Sequence, residues 1–165
     1  MKKHYLQFPV IAAGAEYLVM GHLMRRNILT YKAPPRNEGY DLICIHPDPH
    51  HRAGGRRKAQ VRIQVKSRYA TDCNRSVLVK AATLDAFDFL VVAFLNVGRF
   101  YRKKDGAAPP AEPEFYTLPR RFVLAHHEAS ASWPKLQLKG LDRVIAKYKN
   151  ERGFELIAKA LGVPK

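Results

Sequence analysis

The chain has 165 residues, of which 47% are hydrophobic, so it is long enough to bury the core of one globular domain. Its formal net charge of +15 favours a polyanionic partner, nucleic acid above all. Two cysteines exclude a disulfide framework and a four-cysteine zinc site, and the sequence lacks a run of about 18 apolar residues or a signal-like start. We therefore expect a cytoplasmic protein that is neither exported nor membrane-spanning.

The positive charge is concentrated in one segment. Nine lysines and arginines lie between residues 50 and 80, where Asp72 is the only acid. A basic surface that binds nothing in particular is the simpler alternative, but such clustering argues against it. The candidates for phosphate contacts are Arg52, Arg56, Arg57, Lys58, Arg62 and Arg68.

An amphipathic helix is predicted over residues 11–27. Its apolar stripe, at spacings of three and four residues, comprises Ala12, Ala13, Val19, Met20 and Leu23. Glu16 lies in the middle of this pattern. A carboxylate there either reaches out to solvent or a neighbouring basic side chain, or has a function as a cation ligand. The pattern alone leaves both open.

Two strands are predicted at 40–45 and 59–67, joined by a polar connection over 46–58 and paired antiparallel. In the first strand, alternation places Asp41 on the face opposite Leu42. In the second, it places Gln64 and Lys66 on one face. If the strands pair, Asp41 comes level with Gln64 and Lys66 at one end of the hairpin.

The remaining elements complete an α/β pattern. The apolar run within 85–95 indicates a central strand buried on both faces, and 99–101 and 114–118 indicate flanking strands around a Pro-rich loop. The C-terminal region, from about 135 to 162, is predicted to be helical, with Gly162 as a stop. One apolar stripe there is Leu141, Val144, Ile145 and Tyr148, and the other is Phe154, Ile157, Ala158 and Leu161. No linker divides the chain, so residues 1–165 are predicted to form one domain with a core at about 10–125.

The order of these polar residues resembles the PD-(D/E)XK nuclease superfamily, the fold of many restriction enzymes, Holliday-junction resolvases and some homing endonucleases. The resemblance covers roughly residues 10–95. It rests on Glu16 in the first helix, on Gly-Tyr-Asp41 where the family has Pro-Asp, and on Gln64-Val-Lys66 where it has acid-x-Lys. The tyrosine replaces a proline that is often absent from this motif. Gln64 replaces the second acid, as in variants that resemble intron-encoded homing endonucleases.

The resemblance implies a restriction-endonuclease-like mixed sheet flanked by helices, and a Mg²⁺-dependent endodeoxyribonuclease, with Mn²⁺ as an alternative cation. Glu16, Asp41 and Gln64 would hold the metal, and Lys66 would orient the attacking water or stabilise charge on the phosphate. It further implies DNA as substrate and a homodimer or larger homo-oligomer. The sequence does not distinguish DNA from RNA.

A glutamine brings an oxygen but no negative charge to a metal site, which leaves a second function open. In that alternative the protein keeps the nuclease fold and binds nucleic acid with weak or no catalysis. A third alternative is a basic structural protein whose acids pair with neighbouring lysines. The histidines His46, His50 and His51 lack a complete set of four zinc ligands, and we expect them in a DNA-facing loop.

Overall fold

The computed structural model describes residues 9–72, 74–98, 108–130 and 132–164. Within them a five-stranded mixed sheet has the strand order β1-β2-β3-β5-β6, and a three-stranded sheet has the order β4-β8-β7. The strands of the large sheet are β1 (Leu29–Lys32), β2 (Leu42–Ile45), β3 (Gln60–Arg68), β5 (Phe89–Phe94) and β6 (Glu114–Pro119). Those of the small sheet are β4 (Ser76–Leu78), β7 (His127–Glu128) and β8 (Lys135–Gln137). The helices are α1 (Pro9–Met24), α2 (Arg120–His126), α3 (Asp142–Ile145) and α4 (Asn150–Leu161).

Helix α1 covers one face of the large sheet together with α4. Its fully buried side chains are Ala15, Val19 and Leu23, which recur every fourth residue. They belong to one hydrophobic cluster with Val61, Ile63 and Val65 of β3 and with Phe154 of α4. The predicted helix is confirmed, but its buried stripe runs through Ala15 rather than Ala12, which is exposed.

The predicted hairpin of β2 and β3 is confirmed. The two strands pair antiparallel, with Leu42 opposite Ile63. The odd-numbered side chains of β3 enter the core below α1, whereas the even-numbered ones face the other side of the sheet. The hairpin therefore presents a polar face away from α1.

Strand β5 pairs parallel with β3 and antiparallel with β6, and all six of its residues are buried. A parallel pair needs a crossover between its strands. Here the crossover contains β4 and a 3-10 turn at Ala81–Thr83, which lie over the face opposite α1. The chain between β3 and β5 thus lies beside the polar face of the hairpin.

The small sheet was not predicted. Because one of its strands lies in the C-terminal region, that region differs from the all-helical prediction. Residues 135–137 form a strand, so the helices begin at Asp142 rather than near 135. The stripe predicted around residue 144 is partly wrong because Val144 is exposed. The predicted stop is confirmed, since Gly162 caps α4 with a φ of +77°, a conformation that favours glycine.

The strand predicted at 99–101 lies outside the described residues. None of the helices in the described ranges is both long enough and apolar enough to span a bilayer.

Candidate functional site

Asp41 lies immediately before β2, where the ladder between β2 and β3 ends. Its backbone N–H donates to the carbonyl of Ile63 at 2.8 Å. Its carboxylate Oδ2 accepts a hydrogen bond from the backbone N–H of Val65 at 2.7 Å. The side chain thus takes the place of a main-chain acceptor, so Asp41 is fixed to the strand that carries Gln64 and Lys66.

Gln64 lies next to this carboxylate. The register that pairs Leu42 with Ile63, continued by one residue, places Asp41 opposite Gln64. Gln64 is only 7% exposed, and its side-chain Oε1 is buried without a hydrogen-bond donor among the described residues. Because buried polar atoms are almost always paired, an unpaired amide oxygen at this position indicates a partner from outside the part of the chain that the structure describes.

Lys66 follows on the same face of β3. Burial of its side chain lowers the pKa of Lys66, and the positive charge of Lys80 lowers it further, while the negative charge of Asp41 acts in the opposite direction. Lys66 is therefore a partly buried ammonium between an acid and a second base. It differs in this respect from a solvated surface lysine.

These three side chains line one cleft of about 200 Å³. The rest of its lining comes from the loop after β1 and from the crossover between β3 and β5. It consists of Asn37, Glu38, Gly39, Leu78, Lys80 and Thr83. Sequence reasoning placed Lys80 in the basic segment without a role. It did not identify Glu38 as a residue of the cleft, because no sequence pattern shows that the loop after Pro34 and Pro35 returns to the hairpin.

Glu16 does not line the cleft. Its carboxylate forms an ion pair with Lys32 at the end of β1, and its side chain is 20% exposed. The structure thus brings together Asp41, Gln64 and Lys66 but directs Glu16 to a lysine. No group of three His, Cys, Asp or Glu side chains within the described ranges is arranged to hold a metal ion. A metal-binding role for Glu16 stays a prediction.

Three of the predicted phosphate-binding residues have partners within the fold. Lys58 forms an ion pair with Asp88 at 2.6 Å. Arg62 lies over the ring of Tyr40, with its guanidinium 5.7 Å from the ring centre. Arg68 donates from Nε, at 2.6 Å, and from Nη2 to the carbonyl of Ser76, so it ties β3 to β4.

The other three basic residues, Arg52, Arg56 and Arg57, are exposed in the loop 46–58. This loop joins the ends of β2 and β3 opposite to the cleft. It is anchored on α4, because the backbone N–H of Lys58 donates to the carbonyl of Ala160 at 2.7 Å. The last residue of the loop is therefore attached to α4 at the far end of the hairpin.

Two histidines of this loop stack on each other. The rings of His46 and His51 are stacked with their centres 3.8 Å apart, and Nδ1 of His46 accepts a hydrogen bond from the backbone of Asp48 at 3.1 Å. His50 is exposed. Contact of this loop with DNA stays a prediction.

No protein-family model and no curated protein matches the chain. Among solved structures, the bacterial homing endonuclease I-Ssp6803I matches it with a TM-score of 0.53 and 14% sequence identity, over 95% of this chain and 96% of that one. A second match is the Holliday junction resolvase Hjc of Archaeoglobus fulgidus, with a TM-score of 0.49 and 10% identity, over 94% and 98% of the two chains. The first of these matches has a TM-score above 0.5 and shows the fold, so the predicted restriction-endonuclease-like single domain is confirmed.

Proposed function

We propose that this chain, which has a restriction-endonuclease-like fold, is a metal-dependent endonuclease that hydrolyses phosphodiester bonds in DNA. The observation that carries the proposal is the buried, unpaired Oε1 of Gln64 next to the carboxylate of Asp41, in a cleft that Lys66 also lines. A surface that only attracted polyanions would have no use for a buried oxygen without a donor.

The side chains of this cleft suit a hard divalent cation. Asp41 uses one carboxylate oxygen for the Val65 amide, which leaves the other free, and Gln64 offers a carbonyl oxygen. Oxygen ligands of this kind select Mg²⁺, or Mn²⁺ in its place. When bound, such a cation stabilises negative charge on the phosphate and lowers the pKa of a coordinated water. Glu16 would join the ligands only after its carboxylate leaves Lys32.

Lys66 serves the reaction from the same face of β3 as Gln64. Its Nζ can donate a hydrogen bond to a phosphate oxygen or to the attacking water, and its charge offsets the negative charge that develops during attack. Because its pKa is lowered, the ammonium gives up a proton more readily than an ordinary lysine does. Lys80 adds a second positive charge in the same cleft and assists in holding the phosphate.

Bound DNA would run along the hairpin, from the cleft at one end to the basic loop 46–58 at the other. From Gln60 to Gln64 the strand β3 rises about 13 Å at 3.3 Å per residue. The exposed Arg52 and Arg56 lie in the loop beyond that end of the strand, so we expect them to contact phosphates away from the scissile bond. Since one cleft cuts one strand, we further propose that two or more copies act together on a duplex.

A binding protein without catalysis is the second candidate. Gln64 brings no charge, and Glu16 is paired with Lys32, so Asp41 is the only one of the predicted ligands that offers a free anionic oxygen in this arrangement. This observation favours a decayed metal site on a retained fold. Cleavage separates the two candidates, because both predict salt-sensitive DNA binding.

The test is incubation of the purified protein with supercoiled, linear and branched DNA, and with RNA of matched sequence. Each substrate is treated with Mg²⁺, with Mn²⁺ and with EDTA. Nicking or linearisation of DNA that requires the cation and stops in EDTA supports the endonuclease. DNA binding at low salt without cleavage under any condition supports the second candidate, and the absence of binding would remove both.

A further inference from the structure

We infer that Glu38 supplies the second anionic ligand of the cation in the cleft, a role for which the sequence pattern selects Glu16. The inference rests on the proposed function and specifies its metal site. It starts from the acids that line the cleft, which are Asp41 and Glu38.

The loop that carries Glu38 is held in place from both sides of that residue. The side-chain amide of Asn37 donates to the carbonyl of Tyr40 at 2.7 Å. Gly39 has a φ of +92°, and a Cβ at that position would lie 2.4 Å from the Cβ of Ala86. The backbone at 39 is therefore packed directly against the chain beyond the 3-10 turn. Glu38 is thus presented at the cleft by fixed backbone.

The carboxylate of Glu38 is available for a ligand. It makes no ion pair and no side-chain hydrogen bond among the residues that the structure describes. By contrast, six other acids are paired with basic side chains: Glu16, Asp88, Glu114, Glu128, Asp142 and Glu151. Asp41, Asp48, Asp85 and Glu112 also occur in none of these ion pairs, but of these acids and Glu38, those that line the cleft are Asp41 and Glu38.

Charge balance also favours a second acid in the cleft. Asp41 alone gives one negative charge beside two positive ones, Lys66 and Lys80, which would repel a divalent cation. Gln64 contributes an oxygen but no charge, and its buried Oε1 independently indicates a ligand at this point. A carboxylate from Glu38 would raise the anionic count to two, and anionic ligands set much of the affinity of hard cations.

Binding of Mn²⁺ alone, measured by electron paramagnetic resonance and by titration calorimetry without DNA, tests the inference. The variants are Glu38→Gln, Glu16→Gln and Asp41→Asn. Glu128→Gln is the control, because Glu128 is an exposed acid paired with Lys135 in the small sheet. We expect Glu38→Gln to weaken Mn²⁺ binding about tenfold or more, and Glu16→Gln and the control to change it less than about twofold.

Retention of wild-type affinity in Glu38→Gln overturns the inference, as does a loss confined to Glu16→Gln and Asp41→Asn. In both cases the metal site proposed for catalysis stands provided that Asp41→Asn has lost Mn²⁺ binding, and it fails with the inference if Asp41→Asn binds like the wild type. If the wild-type protein does not bind Mn²⁺ at all, the inference and the metal-dependent function fail together. Glu38 is exposed, so thermal unfolding of Glu38→Gln should match that of the wild type and exclude misfolding as the cause.

Discussion

The carboxylate of Asp41 accepts a hydrogen bond from the backbone N–H of Val65 at 2.7 Å, across the end of the hairpin. This bond ties the acid to the strand whose next polar side chains, Gln64 and Lys66, line the same cleft. The position of the Asp41 carboxylate in the candidate site is therefore set by main-chain pairing. Preorganised groups of this kind are what a transition state with developing charge requires.

Replacing Gln64 by leucine should separate stability from activity. The buried Oε1 has no donor within the described ranges, so its removal should leave stability unchanged or raise it by roughly 1–2 kcal/mol. Cleavage should be lost, because the metal would lose an oxygen ligand. Urea denaturation beside a cleavage assay measures both effects, and Gln60→Leu, at the exposed start of the same strand, is the control. A marked loss of stability in Gln64→Leu would show that the oxygen is already satisfied by the fold.

Substitution of Arg56 should affect DNA binding, whereas substitution of Arg68 should affect stability. Arg56 is exposed in the basic loop, so Arg56→Ala should leave stability unchanged and reduce the salt dependence of DNA binding by about one phosphate contact. Arg68→Ala should lower stability by about 1–3 kcal/mol, because the carbonyl of the buried Ser76 loses its donor. Filter binding between low and moderate salt and chemical denaturation give the two quantities. Equal effects of both substitutions on the salt slope would contradict this division.

Gly39 and Gly14 form a matched pair for the loop beside the cleft. A Cβ at Gly39 would collide with Ala86, and its φ of +92° is unfavourable for alanine, so Gly39→Ala should destabilise the protein by more than about 1 kcal/mol. Gly14 lies within α1, where a Cβ would meet nothing beyond its own helix within 4 Å, so Gly14→Ala should stabilise the protein by about 0.5–1 kcal/mol. Thermal denaturation compares them. A neutral Gly39→Ala would mean that the loop moves freely, against the fixed presentation of Glu38.

Cys44 should be chemically inert in the folded protein. Burial raises the pKa of Cys44 to about 12, so at pH 8 the reactive thiolate amounts to only about one molecule in ten thousand. In a Cys73→Ser background, a thiol reagent should not react with the native protein at pH 8, and should react with one thiol in guanidinium. Rapid reaction under native conditions would show that β2 opens readily.

The hairpin was predictable because β3 has one apolar and one polar face, and period two assigns Gln64 and Lys66 to the same side. The small sheet was not, because its strands are two or three residues long and show no measurable alternation. The ion pair of Glu16 with Lys32 could not be predicted either. A helical pattern shows that an acid is close to the core but does not show which basic side chain pairs with it. The packing of Gly39 against Ala86, which brings Glu38 to the cleft, is a tertiary contact without a local signal.

The proposed metal-dependent cleavage is tested most directly by single-turnover cleavage of DNA with Asp41→Asn and Lys66→Met beside the wild type, in Mg²⁺ and in EDTA. Asparagine can still accept the hydrogen bond from Val65, and methionine keeps the apolar part of the buried lysine, so both variants should fold and bind DNA. Metal-dependent catalysis by Asp41 and Lys66 predicts cation-dependent cleavage by the wild type and a loss of at least about a hundredfold in each variant, the cost of removing one main catalytic group. Cleavage at the wild-type rate in either variant, or unchanged cleavage in EDTA, would contradict it.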